Sequence, residues 1–483
     1  MTQPVTTPTS DSRRWYALIL LCAAQFMFVL DVAIINVALP SIEQQFQMSP
    51  QNLQWVINAY TLAFGGFLML GGRAADLLGR RRVFMAGLGL FSLASLMGGF
   101  AESGGVLIAA RGAQGLGAAL SSPAVLSILT TTFTEGSERD RALGIWGATG
   151  ASGAGAGVLL GGVLTATLGW EWVLFVNVPI GIASVLLAPM LIRESIDTTG
   201  PRQFDLAGAF CITASLVLLV FTIVNAETSG PGPTIALFAL SLLLLVSFVF
   251  IEKRSRTPLV PLRIFRLRNL TGANLVSLFH ANGPLSTLFF ISLYLQQVLG
   301  FNALNSGLAF LPFAVTAGIL SCVTPMFVNR LGVKQVLVGG LVLMAAGLVI
   351  FAQVSVNGSY VRDVLPASLL VAVGAGVSFV PMTVAAVTEV RDEDTGLASG
   401  ILNTTQQIGA ALGLALLVNI ANVRTKQVVA VRGDSPEVLP SALTAGFQSA
   451  FLVGAALLGV GALIALLVIR QQKTNPPQKV LPI

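Results

Sequence analysis

Gly72-Arg73-Ala74-Ala75-Asp76-Leu77-Leu78-Gly79-Arg80-Arg81-Arg82 joins two apolar runs, near 54–74 and 82–101. Each run is about twenty residues, the length a helix needs to cross a bilayer. A tight basic turn between two such runs reads as a transmembrane helical hairpin. Working outward, similar runs recur along the whole chain, near 15–39, 104–128, 141–166, 171–192, 206–226, 233–251, 270–298, 304–327, 333–354, 364–388, 397–421 and 444–470, which makes fourteen. They are too long, and too uniformly apolar, for the short alternating strands of a membrane β-barrel. The fold class is therefore an all-α polytopic membrane protein.

Composition agrees. Only 10% of the 483 residues are charged and the mean hydropathy is +0.83. A soluble domain carries about 25% charged residues, so most of this surface faces lipid. The 50 glycines suit close helix approach in a bilayer. The net charge of +6 is no sign of nucleic acid, because the basic residues sit in short loops. Of 27 Lys and Arg, 22 fall on the side of the N-terminus and of the loops that follow even-numbered spans. Arg362, Arg424, Lys426 and Arg432 fall on the other side, and Arg111 lies inside a span. This asymmetry predicts that both termini are cytoplasmic.

The opening motif has a partner. After the tenth span comes Asn329-Arg330-Leu331-Gly332-Val333-Lys334, with Gly332 placed 253 positions after Gly79. A six-helix half takes about 200 residues, so the surplus of about fifty corresponds to two inserted helices. The predicted organisation is a cytoplasmic tail (1–14), a six-helix bundle (15–192), two inserted helices (206–251), a cytoplasmic linker (252–269), a second six-helix bundle (270–470) and a tail (471–483).

Soluble chemistry has no footing here. No phosphate-binding lysine loop is present, so ATP does not drive this chain by itself. Gly153-Ala154-Gly155-Ala156-Gly157 lies inside an apolar run with no strand before it, and reads as helix packing. Cys22, Cys211 and Cys322 are far apart within apolar runs, and with a single histidine no metal cluster is expected. No nucleophile–base pair suggests an enzyme. The first apolar run is too long for a cleavable signal peptide.

Charges inside spans are costly and mark function by default. Asp31 is the sharpest candidate, either an acid that couples to a proton or to substrate or a hydrogen-bonded aspartate that packs helices. Arg111 needs something to offset its permanent charge, and Asp31 is its natural partner, with Gln114 and backbone carbonyls as alternatives. His280 stands beside Asn282-Gly283-Pro284, which should break its helix; it is either a second proton carrier or a neutral histidine at a kink. Gln25, Asn36, Gln54, Trp55, Asn58, Tyr60, Asn274, Asn282, Tyr294, Gln297, Asn403, Gln406 and Gln407 are candidate lining residues of a substrate cavity. The 28 Phe and 10 Met could add adaptable apolar walls. Glu389 reads as part of a solvated loop.

Taken together, these motifs resemble the major facilitator superfamily, and within it the fourteen-helix drug:proton antiporter group, over about residues 15–470. The loop at 72–82 is similar to the superfamily's loop 2–3 signature. Leu30-Asp31-Val32-Ala33-Ile34-Ile35-Asn36-Val37-Ala38-Leu39-Pro40 is similar to the group's first-helix motif, and Arg111-Gly112-Ala113-Gln114-Gly115-Leu116-Gly117 to its fourth-helix motif. Trp170-Glu171-Trp172 through Asn177, Pro179 and Gly181, and Leu295-Gln296-Gln297-Val298-Leu299-Gly300, are further resemblances. In the fifth-helix motif Val158 stands where the group has proline, with Gly157, Gly161 and Gly162 kept, and Glu171 stands where the group usually has arginine.

The resemblance implies two six-helix bundles plus two extra helices, in a bacterial cytoplasmic membrane. It implies a monomer that exports hydrophobic or cationic compounds in exchange for protons, with the proton as coupling ion and no cofactor or metal. Arg111 would gate protonation of Asp31. Asp76, with Gly72, Gly79, Arg80 and Arg81, would form a latch in which Asp76 faces a helix N-terminus or an arginine. Gly157, Gly161 and Gly162 would serve packing and bending. A narrow antibiotic or metabolite exporter, a symporter and a non-transporting membrane sensor are the alternatives.

Overall fold

A computed structural model describes residues 12–133, 137–196, 205–255, 258–390, 394–433, 435 and 437–470. The predicted tails, 1–11 and 471–483, lie outside the described residues, as do Arg256 in the linker and Arg391 to Glu393. The structure has fourteen helices long and apolar enough to span a membrane, and no strand among the described residues.

The first bundle contains α1 (Ser12–Phe46), α2 (Trp55–Leu78), α3 (Arg80–Gly99), α4 (Gly104–Thr132), α5 (Ser137–Thr167) and α6 (Trp172–Leu191). Next come α7 (Leu206–Ser229) and α8 (Pro231–Arg254). The second bundle contains α9 (Arg268–Val298), α10 (Ala303–Leu331), α11 (Val333–Phe351), α12 (Tyr360–Val387), α13 (Thr395–Arg432) and α14 (Leu439–Val468). The end of the molecule at which α1 starts, where Arg80 to Arg82, Lys253 and Lys334 lie, is called the basic end below, and the opposite one the far end.

The internal repeat is physical. Gly79 and Gly332 both adopt positive φ (108° and 90°) at the sharp turns that start α3 and α11, a conformation open to glycine and strained for other residues. Eight positions further on, Gly87 packs on Gly117 and Ser121 of α4, and Gly340 on Gly374 and Ser378 of α12. The two bundles thus reuse one helix crossing, in which small residues let backbones approach.

Two helices outrun their apolar stretches. The predicted first span stops at 39, before Pro40, yet α1 continues to Phe46. Proline has no N–H for the carbonyl four residues back and crowds it. The freed Asn36 carbonyl instead accepts from Ser292 Oγ at 2.8 Å, and Val37 O accepts from Gln296 Nε2 at 3.1 Å. Both donors come from α9, so the second bundle satisfies the defect. α13 runs past the predicted 421 to Arg432 because Arg and Lys leave the lipid-like stretch without opposing helix. Gly433, at φ 92°, ends it.

The inserted hairpin is asymmetric. Leu216, Val220 and Val224 of α7 pack with Leu62 of α2 and with Ala411 and Ala415 of α13, so α7 lies across a seam between the two bundles. α8 packs chiefly on α7, through reciprocal bonds in which Ser215 Oγ donates to Ser241 O and Ser241 Oγ to Ser215 O, each at 2.8 Å. Most of it is left uncovered, with Ile235, Phe238 and Leu243 facing outward.

Candidate functional site

The first bundle closes around one ion pair. Asp31 of α1 and Arg111 of α4 meet at 2.6 Å between Oδ2 and Nη1, at 0% and 1% exposure. An isolated pair at that depth would be penalised by lost hydration. Here both carboxylate oxygens and two of the guanidinium nitrogens are engaged. Asp31 Oδ1 accepts from Asn177 Nδ2 of α6 at 2.8 Å and from Gln114 Nε2 at 3.2 Å. Arg111 donates through Nε to Val56 O at 3.0 Å and through Nη1 to Gln114 Oε1 at 2.9 Å. Its guanidinium lies 4.6 Å from the centre of the Tyr60 ring, within cation–π range. Ser95 of α3 accepts from Gln114 and Asn177 at 3.0 and 3.2 Å and donates to Leu174 O at 2.8 Å. Helices α1, α2, α3, α4 and α6 are thus tied through one charge pair.

Comparison with known proteins agrees with this architecture. Residues 21–414 match the profile of the Major Facilitator Superfamily. The chain belongs to that superfamily. It is similar to the puromycin resistance protein of Streptomyces alboniger, with 37% identity over 93% of this chain and 90% of that one. It is also similar to the cephamycin export protein of Amycolatopsis lactamdurans (39% identity, 85% of each) and to the lincomycin resistance protein of Streptomyces lincolnensis (32%, 94% and 91%). In fold it is similar to a bacterial homologue of the human lysosomal transporter Spinster, with a TM-score of 0.69 over 95% of this chain and 98% of that one at 17% identity.

In this facilitator the predicted proton-coupling residues separate into two places. Asp31 and Arg111 come together, whereas His280 belongs to the second bundle. It ends the first helical piece of α9, is 5% exposed and shares a 2.9 Å hydrogen bond between Nε2 and Ser378 Oγ of α12. The break predicted from Asn282-Gly283-Pro284 is present as a one-residue interruption at Ala281.

The latch residues also stay within one bundle. Asp76 pairs with an arginine, Arg80 at the start of α3, at 3.1 Å. The backbone N–H groups of Arg80 and Arg81 donate to Ser195 O (3.0 Å) and Glu194 Oε1 (3.1 Å), and Arg81 Nη1 donates to Ile192 O at 3.2 Å. Glu194 also lies 3.7 Å from both Arg81 Nε and Arg82 Nε. Gly79 shapes the turn, and Gly72 faces Pro123 of α4. The motif therefore clamps α3 to the segment after α6.

Gly157 and Gly161 of α5 lie against Leu30, Ala33, Ile34 and Val37 of α1, whereas Gly162 meets Ala303, Leu304 and Gly307 of α10 in the other bundle. A Cβ at Gly162 would come within 2.8 Å of the Ala303 carbonyl. Val158 is buried beside this crossing, its carbonyl facing Gly307.

Several predicted cavity residues do other work. Trp55 packs on Phe221 of α7, with ring centroids 6.5 Å apart, in the seam covered by the hairpin. Tyr60 serves Arg111 inside the first bundle. Tyr294 is fully buried and donates to Ser355 O at 2.7 Å within the second bundle. Asn403 is exposed. The amino-acid sequence by itself cannot tell one side of a helix from another when every side is apolar. Asn36 and Asn282 each donate to their own helix, to Val32 O and Leu278 O, and each keeps a buried Oδ1 without a protein partner. Gln407 faces Gly65 across the bundles. Gln297 bonds to Glu43 of α1, a third link between the bundles near the far end.

Sequence reasoning singled out neither Ser95, Asn177, Glu43 nor Glu194. Asn177 lay within a motif already noted, and a carboxamide in an apolar span was the available signal. Glu389 is a correction: its Oε2 accepts from Asn269 N at 3.1 Å, holding the start of α9, so it is no freely solvated loop residue.

Proposed function

We propose that this facilitator exports hydrophobic small molecules, antibiotics among them, from the bacterial cytoplasm in exchange for protons. Transport would proceed by alternating access as the two bundles rock, with the basic end in the cytoplasm. The sealed Asp31–Arg111 pair carries the reading. Protonating Asp31 removes the attraction that holds Arg111, so protonation biases the packing of five helices at once. A ligand or ion drives a conformational change only through such a difference between states. The three cross-bundle bonds, Ser292 to Asn36, Gln296 to Val37 and Gln297 to Glu43, all close the far end. A cycle needs them broken, and breaking them opens a path outward.

The pair also refines the substrate class. Asp31 has both oxygens engaged by first-bundle groups and no exposed surface. It is a coupling residue in this reading and not the counter-charge of a bound cation. Narrow specificity is the second reading, favoured by relatives each named for one antibiotic. The proton is the only coupling species proposed, with no metal or cofactor, and the monomer is the working unit.

Everted vesicles test this. Wild type should accumulate puromycin or lincomycin when respiration acidifies the lumen, and Asp31→Asn, correctly inserted, should not. Accumulation that persists after a proton ionophore is added would exclude proton coupling.

A further inference from the structure

Gln54, the residue that caps the start of α2, and Asn58 stand one turn apart on one stripe, and Gly65 continues that stripe. Both carboxamides are 0% exposed, and none of their four side-chain N and O atoms has a hydrogen-bond partner in the protein. Buried amides are nearly always paired, so two wholly unpaired ones on one stripe call for a partner.

The close approach of Gly65 to α13 fixes a register from which their neighbours follow by counting. Gly65 abuts Gln407 closely enough that an added Cβ would sit 2.7 Å from the Gln407 Cβ. α2 and α13 are antiparallel, so counting from that pair toward the far end sets Asn58 near Leu414, and Gln54 near Val418 and Asn419. The short helix Pro50–Leu53 ahead of α2 also touches α13, in agreement with this register. Asn419 keeps its own buried Oδ1 without a protein partner. Between 54 and 65 and between 407 and 422 there is no charged residue.

We infer that the far-end seam between α2 and α13 is a substrate subsite that binds an uncharged amide or hydroxyl group, engaged as the bundles part. This rests on the exporter reading above and narrows its substrate class. Carboxamides offer donors and acceptors together, and the absence of charge on either wall leaves nothing to pay the desolvation of an ammonium or carboxylate. Because Gln54 and Asn58 belong to the first bundle and Asn419 to the second, a group held by both reports the position of one bundle to the other.

The test uses the purified full chain in lipid nanodiscs with two probes. Puromycin carries an amide and hydroxyls, whereas tetraphenylphosphonium has no hydrogen-bonding group. The near-isosteric Asn58→Leu and Gln54→Met should each weaken puromycin binding by about tenfold, the loss of one buried hydrogen bond. Tetraphenylphosphonium binding should not change. Asn419→Leu should reproduce the effect from the other bundle and serves if an α2 variant aggregates. Unchanged puromycin affinity, as a merely hydrated seam would give, overturns the subsite, as does equal weakening of both probes or no puromycin binding by wild type. Vesicle transport by wild type judges the exporter reading separately: export with unaltered binding in the variants removes the subsite alone, and selective binding loss without any export removes the exporter alone.

Discussion

Asp31 and Arg111 show how one pair of side chains can be both a stability element and a switch. Neither charge survives burial alone. Arg111→Met leaves a carboxylate in the bundle without its cation, and should cost about 3–5 kcal/mol. That loss should appear as a lower apparent melting temperature in detergent. The double variant Asp31→Leu with Arg111→Met should recover most of it, since an apolar pair needs no compensation, while proton-driven export stays absent. Equal instability of single and double variants would show that the pair is not the source of the cost. These two residues were legible in the sequence because a charge in a long apolar run stands out against its neighbours. Asn177 and Ser95 were not, because a neutral side chain disturbs hydropathy little and its partners lie 146 and 82 positions away, at Asp31 and Asn177 respectively.

Among the elements, α1 carries the most consequential local feature. Pro40 should have ended the helix, and it does free the Asn36 carbonyl. The helix continues because α9 supplies the missing donors, so a backbone defect in one bundle becomes a clasp to the other. Pro40→Ala would return an N–H to that carbonyl and make Ser292 redundant. The expected result is a looser far end, read as faster alkylation of a cysteine placed at Ser286, a position only 1% exposed. An unchanged rate would show that the clasp does not depend on the proline. Helix identity along the chain was readable from apolar length alone. Helix ends were less so, because Pro40 and the charges after 421 mark where lipid-like sequence stops and not where backbone hydrogen bonding stops.

At the scale of the whole molecule, the repeat between the bundles and the charge asymmetry set the frame. The hairpin α7–α8 is an addition laid over one seam: α7 touches both α2 and α13, and α8 meets little beyond α7. If the basic end is cytoplasmic, a protease site attached to either terminus should be cut in everted vesicles and protected in intact spheroplasts. The reverse pattern would invert the direction assigned to transport. Fourteen spans, their division into two bundles and an insert, and the two intramembrane charges were determined by the amino-acid sequence alone, since bilayer thickness and the cost of buried charge act on any chain in the same way. Which side of each helix faces which neighbour was decided by the tertiary structure. Trp55 went to the seam beside α7, Tyr60 to Arg111 and Tyr294 to the second bundle, while Gln54 and Asn58 were left buried without a hydrogen-bond partner in the protein. A helix that is apolar all round carries no stripe to orient it, so only packing between distant segments selects the face that becomes the site.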